Sequence, residues 1–527
     1  MSISESVSLQ ELPLDIFQHN VLCHLSYTDL TNLCSSSKSL HRSLNTATTW
    51  QEFLRHRQYT DITQTKSLSC LPVRLRAALG RRSDLGWESH TFKTTSLFSD
   101  RWQRKCLPRL EISAEFIAVG VGADMHIHWI PEQKIFQRQQ KKEWTVYSLG
   151  KHGQMDITEI ISLPGESTDF IIGQANGLIR HIRFQRESAE FIVKRTFQHP
   201  RAIIRSLSIT EEYMVALSST SSNAHQISFY PLQETGLSSA EDETIPLSPE
   251  ISPIHTESPP RAEPWISSDH SVVEPDYTTS YPTRPWNALF LSPSLLALGS
   301  TSPSALQIYN FGASSQLQLS RELDSHPAQL SALTESPSFS KTSIYAMHHY
   351  APSLLLTGWY HGPANMHDLR LATSYPVLAL NDPLDDGAAY SLSTDGGHRV
   401  LVGGANHGMV KVFDVRMPDK GWSVYLARER SPVYAVRGEH SRIFAATEGT
   451  VWECDLSYKH KPRTYEDDNW RSRWRARGRG GRAWGGWGSW GRQEENLGGQ
   501  IRLHYGSEKL YREDGSEIGK ASTTAVT

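Results

Sequence analysis

Residues 389–416 read AYSLSTDGGHRVLVGGANHGMVKVFDVR. Ala389-Tyr390-Ser391-Leu392 has the composition of a short strand, and Asp395, Gly396 and Gly397 turn the chain. Val400-Leu401-Val402-Gly403 is a second apolar strand, and Ala405-Asn406-His407-Gly408 a tight hairpin turn. Val410, Val412 and Asp414 then alternate with outward residues, as the pleat of a strand requires. The unit is therefore β throughout and too short to close a core by itself.

The same grammar recurs along the chain at a period of roughly 45 residues. Ile157 to Phe184 holds Phe170-Ile171-Ile172-Gly173 and the turn Asn176-Gly177. Ile203 to Tyr230 holds Tyr213 to Leu217, and Asn287 to Phe311 holds Leu295 to Gly299. Ile344 to Arg370 holds Leu354 to Gly358, and Val433 to Leu456 holds Arg442 to Ala446. A more degenerate copy, Leu110 to Ile130, comes first with Phe116 to Gly120. Seven copies in all are legible. A strand from before the first copy, such as Thr91 to Phe98, is expected to complete the last one, with Gln500 to Tyr505 as the competing segment.

Ahead of the repeats the periodicity changes. Leu14, Phe17, Val21, Leu22 and Leu25 fall at three- and four-residue steps, one apolar face of a helix. Pro13 suits the first helical position, where its missing N–H costs nothing. Ser26 or Thr28 is expected to cap a second helix with Leu30, Leu33 and Cys34, and Leu40 and Leu44 share the face of a third. Thr48 or Thr49 is expected to cap a fourth, with Trp50, Phe53 and Leu54 inside.

The chain has 527 residues, room for two or three domains, and a net charge of −3, which does not suggest a general nucleic-acid-binding role. Five cysteines (Cys23, Cys34, Cys70, Cys106 and Cys454) are scattered with no two at CxxC spacing, against a disulfide framework or a zinc site and in keeping with a reducing compartment. No signal peptide and no apolar run of about 18 residues are evident, so no membrane role is expected. No phosphate-binding glycine loop or Gly-x-Ser-x-Gly elbow occurs; Gly120-Val121-Gly122 lacks a third glycine. His126 with His128, and His348 with His349, lack ligand-spaced partners, so neither metal nor cofactor is expected, and the chain reads as non-catalytic.

Taken in order, Leu12-Pro13, Ile16-Phe17, Val21-Leu22, Leu25-Ser26, Asp29-Leu30, Leu33, Ser37-Lys38, Leu40 and Trp50 resemble the F-box profile. The repeats resemble WD40 units, with the Trp-Asp ending present as Phe413-Asp414 and His367-Asp368, and with His199 and His326 near the usual Gly-His position. Together they resemble the F-box/WD40-repeat substrate receptors of SCF-type ubiquitin ligases. The resemblance implies an α+β multidomain chain: a helical F-box (8–58), a linker with a possible closing strand (59–105) and an all-β seven-bladed propeller (106–458). A disordered insertion (231–285) and an Arg/Trp/Gly-rich tail (459–527) complete it.

The same resemblance implies that Leu12, Pro13, Leu14, Ile16, Phe17, Val21 and Leu22 contribute to docking the SCF adaptor subunit, and through it a cullin, while some of them fill the domain's own core. It implies that the propeller holds a protein substrate for ubiquitination and proteasomal degradation, in the cytoplasm or nucleus. Arginines of such propellers often read phosphorylated motifs through bidentate bonds, and the candidates here are Arg180, Arg205, Arg370, Arg399 and Arg437.

Two other readings stay open. His367-Asp368-Leu369-Arg370 and Phe413-Asp414-Val415-Arg416 resemble the Trp-Asp-x-Arg feature of cullin-4-type ligase receptors. Trp470, Trp474, Trp484, Trp487 and Trp490 among arginines and glycines (470–492) match a scaffold with an RNA-contacting tail. Ser248-Pro249, Ser252-Pro253 and Ser258-Pro259 in the insertion are candidate sites for proline-directed kinases.

Overall fold

The computed structural model describes residues 13–56, 72–89, 92–99, most of 107–456, and three short strands between 502 and 520. Within 107–456, several short loops and the longer stretches 130–143, 233–271 and 326–341 fall outside the described residues. Leu12, His326, the three Ser-Pro pairs and the 470–492 tail also lie outside them. The chain is mostly β, with a small N-terminal helical region and several antiparallel sheets.

The helical region opens with Leu14–Ile16, continues through Phe17–Val21 and Leu22–His24, and is followed by Tyr27–Ser36, Lys38–Leu44 and Ala47–His56. Pro13 stands one position earlier than expected, as the residue before the first turn, with its carbonyl accepting from Phe17 N at 3.0 Å. Ser26 is the cap of the second helix. Its Oγ accepts from Asp29 N at 3.1 Å while Asp29 Oδ2 accepts from Ser26 N at 2.9 Å, a reciprocal capping box. The cap expected at Thr48 or Thr49 falls instead on Thr46, whose Oγ1 accepts from Thr49 N at 3.3 Å. Phe17, Leu22, Leu30, Cys34, Leu40, Leu44, Trp50, Phe53 and Leu54 form one core.

A further helix, Val73–Ser89, lies where only a linker was expected. Its first half joins the helical core through Ala77, with the Arg74 guanidinium over the Trp50 ring. Its second half places Trp87 in a core of β residues that includes Leu401, Val410 and Val436.

Seven antiparallel units of four strands each follow, two of them joined in one hydrogen-bonded sheet. Units 1 and 2 span Arg109–Ser148 and Ile157–Gln198; unit 3 spans Ala202–Pro231 and adds Tyr277–Tyr281. Units 4, 5 and 6 span Pro285–Leu323, Thr342–Leu380 and Ala389–Tyr425. Unit 7 joins Ala435–Asp455 to Lys93–Ser99. The closing strand is thus the early segment, paired with Thr450–Asp455, whereas Arg502–His504 pairs with Trp422 and Ser423 of unit 6. The insertion expected to be disordered over 231–285 ends sooner. Tyr277–Tyr281 pairs with His225–Phe229, because its alternating residues complete the outer edge of unit 3.

The first strands of successive units lie side by side, from Arg109–Ile112 round to Ala435–Glu439, and these two are themselves neighbours. No hydrogen-bonded sheet among the described residues closes on itself; the units meet largely through side chains, with Thr301 and Ser302 of unit 4 also pairing with Ser343 and Thr342 of unit 5. A glycine in the second strand recurs at that contact. A Cβ on Gly120 would lie 2.8 Å from Ile157 of the next unit, one on Gly173 2.8 Å from Ile204, and one on Gly299 2.9 Å from Ile344. The quoted hairpin at Asn406-His407-Gly408 has His407 at φ 63° and Gly408 at φ 57°. Both central residues are left-handed, as a two-residue hairpin turn with the twist of its strands demands.

Candidate protein-interaction surfaces

The N-terminal residues grouped by resemblance separate into two sets. Phe17 and Leu22 are buried (2% and 0% exposed) and belong to the core, and Val21 packs against it. Leu14 and Ile16 are 41% and 43% exposed, and Pro13 beside them is exposed as well. Isolated exposed apolar residues are ordinary, but three within four positions at the start of a helix make an apolar edge.

The five candidate arginines have five different surroundings. Arg180 donates to the Leu149 carbonyl at 3.2 Å, and burial lowers its pKa, so it joins units 1 and 2. Arg370 forks onto Asp368 two residues away, at 2.9 and 2.7 Å, on an exposed turn. Its guanidinium, through hydrogen bonds, holds the Asp368 carboxyl down at about 2. Arg416 forks onto Asp414 in the same manner, at 3.0 and 2.7 Å. Arg399 is buried. It donates to Asp395 at 2.9 Å and to Asp84 of helix Val73–Ser89 at 2.9 Å, and it lies 4.8 Å over the Trp87 ring. It therefore holds the helix to unit 6 and is not a surface reader of ligand. Arg437 pairs with Glu111 at 3.2 Å, and the other oxygen of Glu111 accepts from Ser162 Oγ at 2.6 Å, so one carboxylate ties units 7, 1 and 2 together.

Arg205 alone of the five has no hydrogen bond or carboxylate partner among the described residues, and its Nε is buried without a partner. Burial lowers its pKa, and the like charges of Arg284 and Arg109 lower it further. It occupies a bulge in the first strand of unit 3, between Ile204 and Ser206. Bulges at the same step carry Trp286 in unit 4, Tyr345 in unit 5 and Tyr390 in unit 6. An extra residue in one strand turns its side chain out of the pleat, so these side chains leave their own sheets. They form a continuous row: Trp286 to Tyr345 at 5.1 Å, Tyr345 to Tyr390 at 5.2 Å, and Tyr390 to Tyr434 of unit 7 at 5.8 Å. Tyr360 joins Tyr345 at 5.7 Å, and the Arg284 guanidinium stacks on Trp286 at 4.1 Å. Burial raises the pKa of Tyr345 and Tyr434.

The repeat-by-repeat reading missed this row. Its signal was present: an aromatic residue stands beside the start of four copies, next to Asn287, Ile344, Ala389 and Val433. The histidines considered as ligands separate. His126 and His348 are held neutral by burial, with pKa values lowered to about 4 and about 3, while His349 bonds the Phe290 carbonyl at 2.6 Å. His199 lies against Ser228 and Ser218 inside unit 3. No group of three or more residues suited to a metal occurs among the described residues, and no helix there is long and apolar enough to cross a membrane.

No family model matches the chain. A stretch of 98 residues, 18% of the chain, is 32% identical to F-box/WD repeat-containing protein 4 of Mus musculus, and covers 24% of that protein. The chain thus matches about a quarter of the length of this curated relative.

Proposed function

We propose that the chain is a non-catalytic substrate receptor of an SCF-type ubiquitin ligase, acting in the cytoplasm or nucleus. In this reading the helical region is an F-box and the seven units are the blades of a WD40-like propeller. The observation that carries it is helix Val73–Ser89, rooted in the helical core at Ala77 and in the β core at Trp87. A receptor must hold its substrate at a set distance from the ligase machinery. A helix anchored at both ends supplies that, and the bound lysine then meets activated ubiquitin at high effective concentration. The partial match to F-box/WD repeat-containing protein 4 supports the same reading.

The exposed pair Leu14 and Ile16 is the adaptor contact that can be tested without disturbing the core. Purified chain is expected to retain the SCF adaptor subunit, and Leu14→Ala with Ile16→Ala to weaken this at least tenfold, as interface anchors commonly do at about 2 kcal/mol each. An unchanged thermal melt would assign the loss to the surface. Failure of the unaltered chain to bind the adaptor would refute the proposal.

The two Asp–Arg forks favour a second reading, docking to a cullin-4-type adaptor. Both Arg370 and Arg416 are outward at strand ends, with side chains 72% and 53% exposed. Retention of that adaptor by the unaltered chain, and its loss in Arg370→Ala with Arg416→Ala, would establish this alternative.

A further inference from the structure

The charges of the first strands are unevenly satisfied. Around units 7, 1 and 2, Arg437 has Glu111 and Arg109 has Glu159, at 3.2 and 3.8 Å. At the junction of units 3 and 4, Arg205 and Arg284 have no carboxylate among the described residues. The junction itself is close-knit. Ala288 N donates to Ser206 Oγ at 3.2 Å and Phe290 N to Ser208 Oγ at 2.9 Å, so Arg205 and the Arg284–Trp286 stack stand at one seam. His225, which senses both arginines, is lowered by its own burial and offers no counter-charge. A partly buried guanidinium with an orphaned Nε, beside a second one and without an anion, is an unsatisfied arrangement that an incoming anion would complete.

The aromatic row starts at the same seam. Trp286 leads to Tyr345, Tyr390 and Tyr434, and the hydroxyls of these three tyrosines make no hydrogen bond among the described residues. Aromatic faces with free hydroxyls suit the apolar and backbone groups of an extended peptide.

We infer that the seam of units 3 and 4 is a peptide-binding site in which Arg205 and Arg284 receive an anionic side chain and the Trp286–Tyr345–Tyr390 row takes the apolar residues beside it. This deepens the receptor reading by assigning the substrate a composite determinant: a carboxylate or phosphate next to an apolar or aromatic residue. It also excludes Arg180, Arg399 and Arg437 from the reading role, since each is held by the protein itself.

The test uses the full chain and three fluorescein-labelled peptide pools with the same degenerate flanks and a fixed central phosphoserine, glutamate or serine. Fluorescence anisotropy is expected to show binding of an anionic pool and not of the serine pool. Preference for phosphoserine would identify phosphate as the source, preference for glutamate a carboxylate. Arg205→Gln with Arg284→Gln is expected to weaken binding by about tenfold or more, and Tyr345→Ala with Tyr390→Ala by a similar factor, mainly for pool members with apolar flanks. Arg205→Lys, which keeps charge without the fork, should fall between. Arg55→Gln, on the exposed face of the helical region, should change nothing. Equal binding of all three pools, no binding of either anionic pool, or full binding by the double glutamine variant would overturn the inference. Adaptor capture on the same preparation separates the two proposals: peptide binding without capture leaves the site standing and removes the receptor reading.

Discussion

Arg399 of unit 6 and Arg205 of unit 3 are both wholly or partly buried arginines, and they serve opposite ends. Arg399 is enclosed: two aspartates and a tryptophan face take up its charge, and one of the aspartates and the tryptophan come from helix Val73–Ser89. Arg205 is left open, with like charges for neighbours. Burying a charge is expensive, and a protein compensates at once with its own groups or leaves the compensation to something that binds. The first arrangement builds the molecule. The second weakens it slightly and prepares it for a partner.

The comparison breaks if the two arginines respond alike to removal. Arg399→Ala removes the guanidinium that Asp84 and Asp395 share and uncovers Trp87. It is expected to cost about 3–5 kcal/mol in urea unfolding, the usual penalty for removing one partner of a buried pair. A loss below 1 kcal/mol would show that the two ion pairs of Arg399 contribute little to holding the helix to unit 6.

Acid provides a second, intermediate test. His126 is buried in unit 1 with its pKa lowered to about 4 by that burial. A histidine held below its unfolded value of about 6.5 contributes stability that is fully present above pH 6.5 and is lost as pH falls toward 4. The urea midpoint should therefore drop over that window, and His126→Asn should flatten the drop. An unchanged slope in this variant would place the acid sensitivity elsewhere.

The smallest effect is expected at Arg205. Arg205→Gln removes a charge that has no partner, so stability should stay within about 0.5 kcal/mol or rise. A loss of several kcal/mol would mean that Arg205 is structural after all and would bring it level with Arg399.

Much of the molecule was legible before any coordinates. The helical apolar residues Leu30, Leu40, Leu44, Trp50, Phe53 and Leu54 are the core their spacing implied. All seven repeat copies correspond to four-stranded units, and the early strand supplies the closing edge of the last one. Helix Val73–Ser89 escaped notice because its apolar residues serve two different cores, Ala77 in one and Trp87 in the other, and so draw no single stripe. Tyr277–Tyr281 escaped because a strand of threonine, serine and tyrosine beside a polar insertion reads as part of that insertion.

By itself the sequence determined where most of the helices and strands lie, because turns, caps and the 3.6- and 2-residue periods are properties of the backbone and act over a few residues. It determined likewise that glycine stands at the fifth position of the second strand in five of the seven units, where the next unit approaches. Only the tertiary structure decided what each charged or exposed residue does. Glu111 meets Arg437 from 326 positions away, and Arg399 meets Asp84 from 315. Whether an arginine is satisfied depends on such distant partners, and the same folding that supplied them for Arg399 and Arg437 left Arg205 and Arg284 at the seam with no carboxylate among the described residues.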